Sequence, residues 1–148
     1  MYFVNREKID ETLAYMDLLL NEWDERPSLD TLKDKLAMER MVTVIVESII
    51  DVGNSMIDGF IMRDPGSYED IVDILHDEKV IHEQDANSLK QVVALRKELV
   101  TYYMSLDHDK ISKVVTKELT VLTQFSSNVR RYLVEELGPV SAFLPNKK

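Results

Sequence analysis

The chain is predicted to be all-α, an up-and-down helical bundle of four long helices plus one short helix. Three observations predict this class. Apolar residues recur at steps of three and four along most of the chain, no segment sustains the two-residue alternation of a half-buried strand, and only four Gly and four Pro interrupt 148 residues. With 45% hydrophobic and 30% charged residues the chain can bury a real core. It reads as a single domain over residues 1–148, with its core at about 5–137 and a short C-terminal tail.

Each element follows from local signals. Ile9, Leu13, Met16, Leu20 and Trp23 step by four and three, which predicts a first helix over about residues 5–25 with one apolar stripe. Pro27 breaks the chain, and Ser28 offers an oxygen to cap a second helix over about 29–62. Two adjoining stripes mark that helix as central: one runs through Met38, Val42, Ile45, Ile49, Val52 and Met56, the other through Val46, Ile50, Gly53, Ile57 and Phe60. Pro65 and Gly66 end it. Ser67 with Asp70 forms a capping box for a short helix reaching Leu75. A fourth helix, about 85–103, carries Leu89, Val92, Leu95 and Leu99. Asp107 caps a fifth, about 108–137, with Ile111, Val115, Leu119, Leu122, Val129 and Leu133 inward and a stop at Gly138 and Pro139.

Charge and composition exclude several functions. The net charge of −9 argues against a general nucleic-acid binder, although residues 1–85 are net −13 and residues 86–148 net +4. Lys110, Lys113 and Lys117 share one helical face, read as a solvated face. There is no cysteine, hence no disulfide or thiolate chemistry. The N-terminus lacks the apolar run of a signal peptide, and the longest greasy segment, "MVTVIVESII", is broken by Glu47 and too short to span a bilayer. The expectation is a soluble, cytoplasmic protein with no membrane contact.

Two polar features stand out against the apolar helices. Arg40, Glu47, Asp51, Asn54 and Asp58 share one face of the second helix, so part of that line must lie near a cation or in a wet groove. In "ALRKELVTYYMSLD", Arg96 and Tyr103 are seven residues apart, two helical turns, and so are expected nearly on one face, with Thr101 and Tyr102 between them. An arginine on an apolar helix needs a partner. Glu47 or Asp51 could supply it within the fold, and a bound phosphate is the alternative.

The runs "MERMVTVIVESIIDVGNSMI", "DPGSYEDIVDIL" and "VVALRKELVTYYMSLD", followed by "ISKVVTKEL", resemble the HepT-like family of the HEPN superfamily, and within it the YutE-like members, over roughly residues 5–137. The resemblance implies a helical bundle paired as a homodimer about the second and fourth helices. It also implies a cleft at the interface holding the motif Arg, Asn, several residues, His, any residue, Tyr. Active members are metal-independent endoribonucleases that act as toxins, each paired with a small nucleotidyltransferase antitoxin that adenylylates the motif tyrosine. The resemblance places the motif arginine at Arg96 and the tyrosine at Tyr103; Tyr102 is the other candidate acceptor, and the polar residues Glu47, Asp51 and Lys97 are read as supporting the site.

Two positions depart from that motif. Lys97 stands where the family has Asn, and Thr101 where it has His. Cleaving RNA without a metal needs one group to take the 2′-hydroxyl proton and one to protonate the leaving oxygen. Histidine, with a reference pKa of about 6.5, suits that work; threonine does not, and a phenol near 10 is a poor base at pH 7. Losing this assistance costs about 10²- to 10⁴-fold in rate, so cleavage is expected to be weak or lost, while Arg96 retains the ability to hold a phosphate. The alternative is a non-catalytic dimeric module that binds a nucleotide or a protein, with RNA a partner of the first reading.

His108, just past the Asp107 cap, is a candidate to replace the missing base, whereas His76 and His82 flank a loop and are read as solvated. The histidines form no metal-ligand pattern, so neither a metal nor a cofactor is expected. Glu22, Asp24 and Glu25 suggest a Mg²⁺-dependent nucleotide pyrophosphatase, but Glu47 and Asp51 have the wrong spacing for the second acidic set, and that class is set aside.

Overall fold

Asn5 opens the first helix by accepting a hydrogen bond from the Lys8 amide at 3.0 Å, which satisfies one free N–H of the first turn. In the computed structural model, which describes residues 2–138, α1 runs Arg6–Asn21 and buries Ile9, Leu13, Met16 and Leu20. It stops short of residue 25. Trp23 lies beyond its end, half-buried, and donates its indole N–H to Thr116 Oγ1 at 3.0 Å.

α2, Leu32–Gly59, starts later than expected because Thr31, not Ser28, is its cap. The Thr31 hydroxyl accepts from the Asp34 amide at 3.1 Å, and the Asp34 carboxylate accepts from the Thr31 amide. A reciprocal box satisfies two backbone groups where a lone serine satisfies one. Ser28 instead donates its hydroxyl to the Asp34 carboxylate at 3.2 Å. α2 touches α1 and each of the helices that follow it as far as residue 117, the central position that its two stripes require.

The chain leaves α2 through Ile61 in the left-handed region (φ 56), with the Met62 amide bonded back to Ile57 O at 2.9 Å. α3, Tyr68–Asp77, is capped by Ser67, whose hydroxyl accepts from the Asp70 amide at 3.0 Å. Only half of the expected box forms. The Asp70 carboxylate accepts from the Gly66 amide at 2.9 Å and from both terminal nitrogens of Arg63 at 2.8 and 2.9 Å, pinning the connection between α2 and α3.

The predicted fourth helix is two: α4, Glu83–Val93, and α5, Leu95–Thr101, separated at Ala94. The predicted fifth is also two, α6, His108–Lys117, and α7, Leu119–Leu137, interrupted at Glu118 (φ −98, ψ 13). Asp107 caps α6 as expected, accepting from the Lys110 amide at 3.1 Å, and Gly138 (φ 83) ends α7. Pro139 and the C-terminal tail lie outside the described residues. The fold is all-α. Taking α4 with α5 and α6 with α7, four long rods and one short one surround a single apolar core that includes Leu13, Ile45, Ile49, Met56, Leu75, Ile111 and Phe125. Among the described residues no helix is long and apolar enough to cross a membrane.

Candidate functional site

Arg96 projects from α5 toward α2. Its Nε donates to Glu47 Oε1 at 2.6 Å, and the two side chains are 28% and 38% exposed. Partial burial disfavours a lone charge on either helix, and the pair answers it for both. The bond to Glu47 raises the guanidinium pKa above its ordinary value. No hydrogen bond from either terminal nitrogen of Arg96 occurs among the described residues.

The guanidinium also lies over the ring of Tyr68, the first residue of α3, with Cζ 4.4 Å from the ring centroid, within cation–π range. Beside this stack runs a groove of about 660 Å³, walled by Asn54 of α2, the turn at Pro65, Gly66 and Ser67, the start of α3, and α4 with α5. Arg96, Lys97 and Thr101 all line it, as does Glu69.

The other expected site residues lie elsewhere. α5 ends at Thr101, and Tyr102 is already off the helix (φ −112, ψ 37), so Tyr103 does not continue the face of Arg96. Tyr102 and Tyr103 are 55% and 63% exposed, and neither lines the groove. Asp51 is one turn beyond Glu47 and opens on a second, smaller groove of about 270 Å³, shared with Lys8, Thr12, Ser55 and Asp58. Desolvation first, then the neighbouring Glu47, raises the Asp51 carboxyl above its ordinary value, with Lys8 and Arg96 opposing. Asn54 borders both grooves.

His108 is engaged rather than free: its Nε2 is 2.6 Å from Glu39 Oε2, with both side chains largely buried. Glu39 lies about 12 Å along α2 from Glu47, at 1.5 Å rise per residue, and neither it nor His108 lines the groove. Lys110 pairs with Glu98 rather than standing wholly solvated, while Lys113 and Lys117 are exposed. Tyr68 went unmarked in the sequence. An aromatic directly after a serine cap reads as an ordinary first helical residue, and its only signal was its place in "DPGSYEDIVDIL".

Residues 9–129 match the HepT-like ribonuclease family. The chain is 46% identical over 143 residues to the Bacillus subtilis (strain 168) protein named "Putative RNase YutE", covering 97% of this chain and 99% of that one. The solved structure of B. subtilis YutE, described as a cytosolic protein of unknown function, superposes with a TM-score of 0.91 at 45% identity, over 97% of this chain and 100% of that one. More distant likenesses show the fold alone. A tri-AMPylated HEPN toxin of Shewanella oneidensis, solved in complex with MNT antitoxin, gives a TM-score of 0.70 at 20% identity, over 84% of this chain and 95% of that one. A toxin–antitoxin structure with AMP-PNP gives 0.71 at 19%, over 84% and 96%. A match over most of its length, and near-complete coverage of a relative at 46% identity, make this chain a member of the HepT-like ribonuclease family.

Proposed function

We propose that this protein is the ribonuclease-toxin type of HepT-like protein, with its RNA cleavage weakened or lost, acting in the cytoplasm beside a nucleotidyltransferase antitoxin. The observation that carries this reading is the Arg96 guanidinium. Glu47 holds it through Nε, so the edge bearing its two terminal nitrogens remains to grip a phosphate beside the groove. There it would stabilise charge as the 2′-oxygen attacks phosphorus and the 5′-oxygen leaves. Thr101, at the position where the family has histidine, has no proton to exchange near neutral pH. The exposed side chains of Val100, Tyr102 and Met104 at the end of α5 support pairing of two copies there, which would build the cleft from both chains.

Within this reading Tyr103 is the acceptor of a nucleotidyl group. Its phenol oxygen would attack the α-phosphorus of ATP held by the antitoxin and pyrophosphate would leave. Its 63% exposure supports access by a second protein. The second reading, a dimeric module that binds RNA or a nucleotide without turnover, is favoured by the absence of a titratable side chain at position 101.

One assay separates the two. Single-turnover cleavage of a labelled RNA should run about 10²- to 10⁴-fold slower than with a histidine-bearing family member, fall to background in Arg96→Ala, and rise in Thr101→His. Cleavage unaffected by Arg96→Ala would reject the first reading. Saturable RNA binding with no cleavage in either the native chain or Thr101→His would favour the second.

A further inference from the structure

We infer that Tyr68 is a positioning residue that fixes the plane of the Arg96 guanidinium, so that its two terminal nitrogens face a single nucleotide phosphate in the adjoining groove. The inference rests on the reading of Arg96 as the phosphate-binding residue and adds what aims it. Among the described residues Arg96 has one hydrogen bond, from Nε to Glu47. One bond fixes a distance but leaves the planar group free to swing about that contact. A ring 4.4 Å from Cζ blocks the swing on one side, because the guanidinium cannot turn edge-on without giving up the attraction between its charge and the π face.

Tyr68 can do this because its own backbone is held in place. Ser67 caps α3 at 3.0 Å from the Asp70 amide, and the Asp70 carboxylate clamps Gly66 and Arg63. The element bearing the ring is thus pinned independently of α5. Tyr68 is also 43% exposed, more than a residue kept for packing needs, and it lines the groove with Arg96. Lys97 adds a second cation on the same wall. Glu69 lines the groove too, and its charge disfavours the higher charge density of a di- or triphosphate. Under the proposed function the chemical class is a nucleoside monophosphate unit, either free or within an unpaired RNA.

Binding of adenosine 5′-monophosphate, of inorganic phosphate and of a short single-stranded RNA to the full-length chain would be followed by NMR titration. The Arg96 Nε–Hε signal would be identified by its loss in Arg96→Lys. The expected results are a ring-current shift of that signal in the native chain, retention of the shift and of binding in Tyr68→Phe, and loss of the shift with about three- to tenfold weaker phosphate binding in Tyr68→Leu. Tighter binding of the RNA than of the free nucleotide would assign the unit to a chain, and the reverse would assign it to a free ligand. Binding by Tyr68→Leu equal to the native chain, while Arg96→Ala has lost it, overturns the role of Tyr68 and leaves that of Arg96 standing. Undiminished binding by Arg96→Ala, or none by the native chain, overturns both. Should Tyr68→Leu not fold, an Nε–Hε signal in the native chain with no ring-current shift is sufficient to refute the inference.

Discussion

Gly53 occupies a position where α2 and α3 pass too closely for any side chain. A Cβ built there would lie 2.3 Å from Ile71 Cγ2, and Ile71 is buried and β-branched, so that methyl has little freedom to turn aside. In an open helix, Gly→Ala stabilises by about 1 kcal/mol; here overpacking costs about 1–3 kcal/mol and wins. Gly53→Ala should therefore lower the urea midpoint, and combining it with Ile71→Ala should cost less than the sum of the two single changes, since that substitution removes the colliding methyl. A purely additive result would place the strain elsewhere. At this scale the sequence was partly legible. Gly53 stood correctly in a buried stripe, and Glu47 was a named partner for Arg96, because each polar residue interrupted an apolar helix face and needed an opposite charge. Tyr68 was not legible, since its contact with Arg96 depends on how a short helix is pinned to the bundle, which no spacing within either segment encodes.

The elements themselves were legible wherever an apolar period and a cap agreed. Asp107 and Ser67 open their helices as read, and Gly138 closes α7. Where two capping candidates compete, reciprocity decides: Thr31 with Asp34 satisfies two backbone groups and Ser28 none. Thr31→Ala should therefore cost about 1 kcal/mol by thermal or urea unfolding, whereas Ser28→Ala should change stability by less than about 0.5 kcal/mol. Equal losses would return the cap to Ser28. The interruptions at Ala94 and Glu118 escaped the sequence because the apolar stripes run straight through them, and Ala94 keeps a helical conformation (φ −61, ψ −22). The end of α5 at Thr101 escaped for a different reason. A seven-residue spacing constrains a face only while the helix lasts, and Thr-Tyr-Tyr is a run of modest helix formers. That single early ending carries Tyr103 off the Arg96 face.

Charge sets the behaviour of the whole molecule. A protein of net charge −9 repels a polyanion at long range, and the groove sits where the acidic first part of the chain, through Asn54 and Glu69, meets the basic remainder, through Arg96 and Lys97. Under the proposed function, RNA reaches Arg96 against the net field and is held by very few contacts. Counterion release then has little to act on. For a single strand, log K falls with log[salt] at about −0.7 per phosphate contact, so Arg96 and Lys97 together give a slope near −1.4, and Lys97→Ala should flatten it to about −0.7. Screening works the other way on encounter, since added salt weakens the repulsion by the protein as a whole. The association rate should accordingly hold or rise between 50 and 200 mM salt while affinity falls, which is opposite in sign to the behaviour of a basic RNA-binding protein (stopped-flow association and equilibrium titration on one labelled RNA would read both). A slope steeper than about −4, or an association rate that drops with salt, would mean that a broad basic surface rather than this groove carries the RNA.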